Sequence, residues 1–136
     1  MLKKGDTYFK TIIFKQEDVE AFARITGDHN PIHIDREYAA QSVFKKTVVH
    51  GMFAASSFSG VLGVAFPGKG SIVTYRELTF VRPVFVDEEY SMHFKVLEVN
   101  YTNYQGLIKT TMKNPKGQIC ITMISKILNP VAFASR

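Results

Sequence analysis

The sequence predicts an α+β fold in which a curved antiparallel sheet wraps around one buried central helix. Three observations carry this. The stretch from Val48 to Phe66 holds no formally charged side chain and no proline. After Pro67-Gly68-Lys69-Gly70 the pattern turns β-rich and stays so to Leu128. Within that second part Tyr90, Met92, Phe94 and Val96 alternate with Ser91, His93 and Lys95, as in a strand with one buried and one wetter face. A helix that is apolar or small on every side has to be covered, and the concave face of a sheet is the cover this chain offers.

The elements follow in order. Thr11 to Phe14 is expected to be a short β segment. Gln16 to Thr26 is expected to be a helix: Val19, Phe22, Ala23 and Ile25 form an apolar stripe, Glu17 and Asp18 fill the first turn, and Gly27 closes it. Asp35 suits the N-cap of a short helix running through Ala40. The charge-free stretch is expected to be helical from Gly51 on. At about 19 residues it approaches the ~20 that cross a bilayer, but its serines and glycines lower its hydrophobicity, which favours a buried helix over a membrane span. Ser71–Phe80, Leu107–Lys113 and Gln118–Leu128 are expected strands. Asn114-Pro115-Lys116-Gly117 places Asn, Pro and Gly where a type I turn takes them.

With 136 residues and no repeat or linker, residues 1–136 read as a single domain long enough to bury a core. The formal net charge of +5 suits an anionic ligand or an acidic partner. Nucleic acid is the weaker reading, because the lysines are scattered and no nucleic-acid motif is present. The lone Cys120 excludes an intramolecular disulfide and sits in an apolar run, as a buried inert thiol does. The N-terminus has no apolar core of a secretory signal, so a cytoplasmic protein is expected.

Chemistry concentrates in Thr26-Gly27-Asp28-His29-Asn30-Pro31-Ile32-His33. A carboxylate and an imidazole that meet over one substrate can move protons at neutral pH. Gly27 can take positive φ, and Pro31 biases Asn30 away from the helical region, so Asp28 and His33 are expected on stiff, non-helical backbone. Asn30 would hold the turn and orient Asp28 or a water. His29 and His33 are four apart, but only a helix would bring them together on a metal, and none is expected there. His50-Gly51-Met52 opens the apolar helix, whose first N–H groups have no internal partner and can bind an oxygen that turns negative. His50 reads as support for the helix start.

The pattern Gly-Asp-x-Asn-Pro-x-His resembles the signature of the MaoC-like (R)-specific enoyl-CoA hydratases. The resemblance continues in order through Val49-His50-Gly51-Met52, Phe58-Ser59-Gly60, Pro67-Gly68-Lys69-Gly70-Ser71 and Phe80-Val81-Arg82-Pro83-Val84, from about Gly5 to about Leu128. It implies the hot-dog fold and reversible hydration of a trans-2-enoyl-CoA to an (R)-3-hydroxyacyl-CoA. It implies Asp28 and His33 as catalytic residues, the Gly51 backbone N–H as oxyanion donor, and supporting roles for Asn30 and Ser59. Lys69, Arg76 and Arg82 become candidate contacts to CoA phosphates. Met52, Phe53, Phe58, Leu62 and Phe66 are available to line an acyl tunnel. No metal or redox cofactor is expected, since coenzyme A arrives with the substrate. A homodimer is expected, because an uncovered sheet edge is a liability in a monomer. The rival readings are a dehydratase of acyl-carrier-protein thioesters and a non-catalytic acyl-CoA-binding protein.

Overall fold

The computed structural model describes residues 1–134; the last two positions of the 1–136 range lie outside it. Five antiparallel strands form one sheet: β1 (Thr7–Ile13), β2 (Ile72–Phe80), β3 (Glu89–Asn100), β4 (Gln105–Lys113) and β5 (Ile119–Leu128), in the order β1-β3-β4-β5-β2. Four helices accompany them: α1 (Gln16–Thr26), α2 (Pro31–Ile34), α3 (Arg36–Ala40) and α4 (Gly51–Val64).

The alternation in β3 is realised: Tyr90, Met92, Phe94 and Val96 are buried, and His93 and Lys95 are exposed. Ile108 and Met112 of β4 and Ile121, Met123 and Ile127 of β5 join them in one core with Ala54, Ala55, Phe58, Val61 and Leu62 of α4. The β4–β5 hairpin closes as the turn residues require. The Gly117 N–H donates to the Asn114 carbonyl at 2.9 Å, and Gly117 takes φ 77°, open to a residue without Cβ.

Three expectations need correction. The first strand is Thr7–Ile13, starting four residues before Thr11, because Tyr8, Lys10 and Ile12 pair across to Phe94, Met92 and Tyr90 of β3. The Asn30–Ile34 segment is not wholly non-helical, since Pro31 occupies the first position of α2, where its fixed φ starts a turn of helix. Lastly, α4 is not covered on all sides. Met52 is 55% and Val64 81% exposed, because the sheet of one chain covers only the face bearing Phe58 and Leu62. Among the described residues no helix is long and apolar enough to cross a membrane.

Gly106 fixes the end of the chain against the sheet. A Cβ there would run into the ring of Phe133, which is fully buried. Gly106→Val is therefore expected to lower unfolding free energy by about 1–3 kcal/mol, as overpacking does. Urea unfolding of Gly106→Val, Phe133→Ala and the double variant checks this: Phe133→Ala should cost less in the Gly106→Val background than alone, and equal costs would mean that the two residues do not collide.

Candidate active site

Helix α1 carries the Gly27–Asn30 loop to the N-terminal end of α4. Its Phe22 stacks on Phe53 with centroids 5.1 Å apart, and Gly27 ends the helix at φ 79° with its N–H on the Ala23 carbonyl. In the loop that follows, the Asp28 N–H donates to Thr26 Oγ1 and the Asn30 N–H donates to Asp28 Oδ1, both at 3.3 Å. The main chain of Asn30 thus orients Asp28. The Asn30 side chain does something else: it caps α2 by accepting from the Ile32 N–H at 3.4 Å.

His33 stands on α2, which is pinned from two sides. The Val48 N–H donates to the Ile32 carbonyl at 3.0 Å. Gln16 Nε2 donates to the His33 carbonyl at 3.0 Å while Thr47 Oγ1 donates to Gln16 Oε1 at 3.1 Å. The His33 ring places Nδ1 2.7 Å from the Val48 carbonyl. A carbonyl can only accept, so Nδ1 carries the hydrogen and Nε2 keeps a free lone pair.

Asp28, His33 and His50 bring their side-chain oxygen and nitrogen atoms within 4.8 Å of one another. Sequence reasoning left His50 as helix support, yet it makes no side-chain capping bond at α4. Its Nε2–H donates to the Asp28 carbonyl at 3.0 Å, and its ring stacks on His33 with centroids 3.9 Å apart and planes at 29°. One signal was available: this is the single titratable residue bordering a charge-free helix. His29 is not part of the cluster.

The cluster has the composition of a metal set. The two ring centroids lie 3.9 Å apart with planes inclined by 29°, and His33 Nδ1 and His50 Nε2 already face the Val48 and Asp28 carbonyls. Burial pushes the His50 pKa below 6.5, and the neighbouring His33 lowers it further, against the raising effect of the Asp28 carbonyl and carboxylate. As pH drops through 6.5 the unfolded chain takes up this proton before the folded one does, so the His50 contribution to stability is lost from that value down to its lowered folded pKa. Thermal midpoints from about pH 7 to 5 should fall more steeply for the wild type than for His50→Gln, which has no imidazole to titrate there. Parallel slopes would refute this.

Beside the cluster lies a cleft of about 430 Å³ lined by His33, Gly51, Phe44, Phe80, Arg82 and Ile121, among others. A Cβ on Gly51 would sit 2.8 Å from Phe80 Cε1, so glycine lets the start of α4 approach β2. The expected tunnel residues do not form this wall. Phe58, Leu62 and Phe66 are core, and Phe53 packs on Phe14 and Phe22. Ser59, two turns along α4, accepts from Arg76 Nη2 at 3.1 Å. Arg76 is thereby occupied, and desolvation lowers its pKa. Lys69 borders a separate depression with Met1 and Asn129. Of the three candidate phosphate contacts, Arg82 alone lines the cleft.

The family profile described as MaoC like domain matches residues 3–116. The chain belongs to the MaoC-like domain family. This MaoC-like chain is 38% identical over 109 residues to an (R)-specific enoyl-CoA hydratase of Aeromonas caviae, covering 80% of this chain and 81% of that protein. It is 31% identical to a mitochondrial 3-hydroxyacyl-[acyl-carrier-protein] dehydratase of Arabidopsis thaliana, over 83% of this chain and 67% of that one. The solved structure of an (R)-hydratase from A. caviae involved in PHA biosynthesis superposes with TM-score 0.91 at 34% identity, covering 95% of this chain and 98% of the other. The unliganded R-hydratase PhaJ1 from Pseudomonas aeruginosa gives 0.89 at 29% identity, with 95% and 83% covered. The architecture of this MaoC-like protein is thus the hot-dog fold.

Proposed function

We propose that this protein is an (R)-specific enoyl-CoA hydratase, a hydro-lyase that reversibly adds water to a trans-2-enoyl-CoA. The observation that carries the reading is the Asp28–His33 pair, whose His33 lines a cleft walled by the first residue of α4. Water held by the Asp28 carboxylate and His33 Nε2 faces the β-carbon. His33 Nε2 accepts one water proton as the oxygen bonds to that carbon. Electrons move to the thioester oxygen, which the Gly51 N–H at the positive end of α4 stabilises. The proton on His33 Nε2 then passes to the α-carbon, so one water is added in all. The donor set calls for no redox group, and coenzyme A enters and leaves with the substrate.

The cleft shares Arg82 and Pro83 with a neighbouring depression of about 380 Å³ that also carries Lys46 and Lys116. Lys116 suits the phosphates of CoA, while Lys46 pairs with Glu88 at 3.4 Å and Arg82 Nη1 donates to the Ile119 carbonyl at 2.7 Å. The Arabidopsis relative favours a second reading, a carrier-protein thioester, which the basic balance of the chain also suits. A homodimer joined through the open β2 edge and the bare face of α4 fits the exposure of Met52, Val64 and Ile72, and a cytoplasmic setting fits a CoA substrate.

Crotonyl-CoA and the matched carrier thioester, offered to the purified protein with product chirality assigned, test the proposal. The (R)-alcohol formed faster from CoA supports it. Preference for the carrier moves the assignment to a dehydratase of carrier thioesters, and silence on both overturns it.

A further inference from the structure

His50 is nearly devoid of solvent contact at 2% exposure, is polar, and is unused by the chemistry above. As the N-cap residue of α4 it could bond the first turn of its own helix, but it does not. It reaches back 22 residues to the Asp28 carbonyl instead. That bond matters because Asp28 is otherwise weakly held: its loop is exposed, and both local bonds at Asp28 are 3.3 Å long. The same ring backs the His33 imidazole at 3.9 Å, and Phe22 packs against it at 4.9 Å.

We propose that His50 is a positioning residue for the catalytic pair, its Nε2–H fixing the Asp28 main chain while its ring backs His33. This rests on the hydratase reading. The Asp28 carbonyl dictates the tautomer, with hydrogen on Nε2. Nδ1 is left buried and without a partner among the described residues, a cost that a purely structural side chain would avoid. The charged or titratable groups facing the ring are Asp28 and His33, and burial favours the neutral form of His50 beside them. A fixed neutral ring can hold His33 in place without competing for its proton.

The test compares wild type, His50→Phe and His50→Gln on crotonyl-CoA, with Asp28→Asn as the inactive reference and thermal midpoints for each. Phe keeps a ring against His33 but has no donor; Gln carries an N–H at a similar reach. His50→Phe is expected to lower kcat about 10- to 100-fold with KM changed by less than about twofold, and His50→Gln to recover most of it. Full activity in His50→Phe, or a Gln variant no better than Phe, overturns the proposal. Should Phe not fold, His50→Asn, too short to reach Asp28, takes its place. Ring ¹⁵N spectra separate this idea from the hydratase reading. If the wild type hydrates nothing, His50 must still show an Nε2–H tautomer that takes up its second proton at lower pH than a free imidazole does. A His50 that titrates like a free imidazole overturns the proposal whatever the activity.

Discussion

Asp28→Asn and His33→Ala each lower kcat for enoyl-CoA hydration by about 10²- to 10⁴-fold, the span that general acid–base groups contribute, while the chain stays folded. Asp28→Asn is the cleaner variant. The Asn30 N–H donates to Asp28 Oδ1, and an amide oxygen accepts as a carboxylate does, so the turn survives while the charge goes. His33→Ala removes the Nδ1–H bond to Val48, worth about 0.5–1.5 kcal/mol net. The remaining ties through Ile32 and Gln16 hold α2 in place. The double variant should lose little more than the worse single one, because two groups that hold one water act as a unit. Disappearance of the enoyl chromophore measures all three. A folded Asp28→Asn at wild-type rate would remove Asp28 from proton handling, and additive losses would separate the roles of the pair.

Where period and punctuation set the structure, the sequence was readable. The alternation from Tyr90 to Val96 became β3, Gly27 and Asp35 sat at the helix boundaries expected of them, and Gly117 made its turn. Pro31 misled because it both terminates and initiates helices. Its neighbour Asn30, a good N-cap, was the clue that it starts one here. The exposed face of α4 could not be read, because a window of apolar and small residues carries no mark of which side its own sheet covers. In the site, Asp28 and His33 were legible from seven adjacent residues. His50 was not, because its two partners lie 17 and 22 residues away and meet it only through the packing of α1 on α4. The same limit applies to Ser59, whose bond to Arg76 depends on where β2 passes α4.

Gly51 carries the second large effect, and two properties of one residue have to be separated there. Its missing side chain admits Phe80, and its N–H is the proposed donor to the thioester oxygen. Gly51→Ala places a Cβ 2.8 Å from the Phe80 ring and should disturb both the cleft and the start of α4. Removing the Phe80 ring should therefore restore Gly51→Ala. In the Phe80→Ala background the donor becomes testable by itself. Proline is tolerated at the first position of a helix, and His50 already has φ −53° and ψ 130°, values that the residue before a proline accepts. Gly51→Pro/Phe80→Ala should therefore fold like Gly51→Ala/Phe80→Ala while lacking the N–H. The proline variant is expected to be about 10²- to 10³-fold slower in kcat, as for loss of one oxyanion donor. Equal rates in two variants of matched thermal midpoint would mean that the thioester oxygen takes its hydrogen bond elsewhere, and that Gly51 serves only the close approach of α4 to β2.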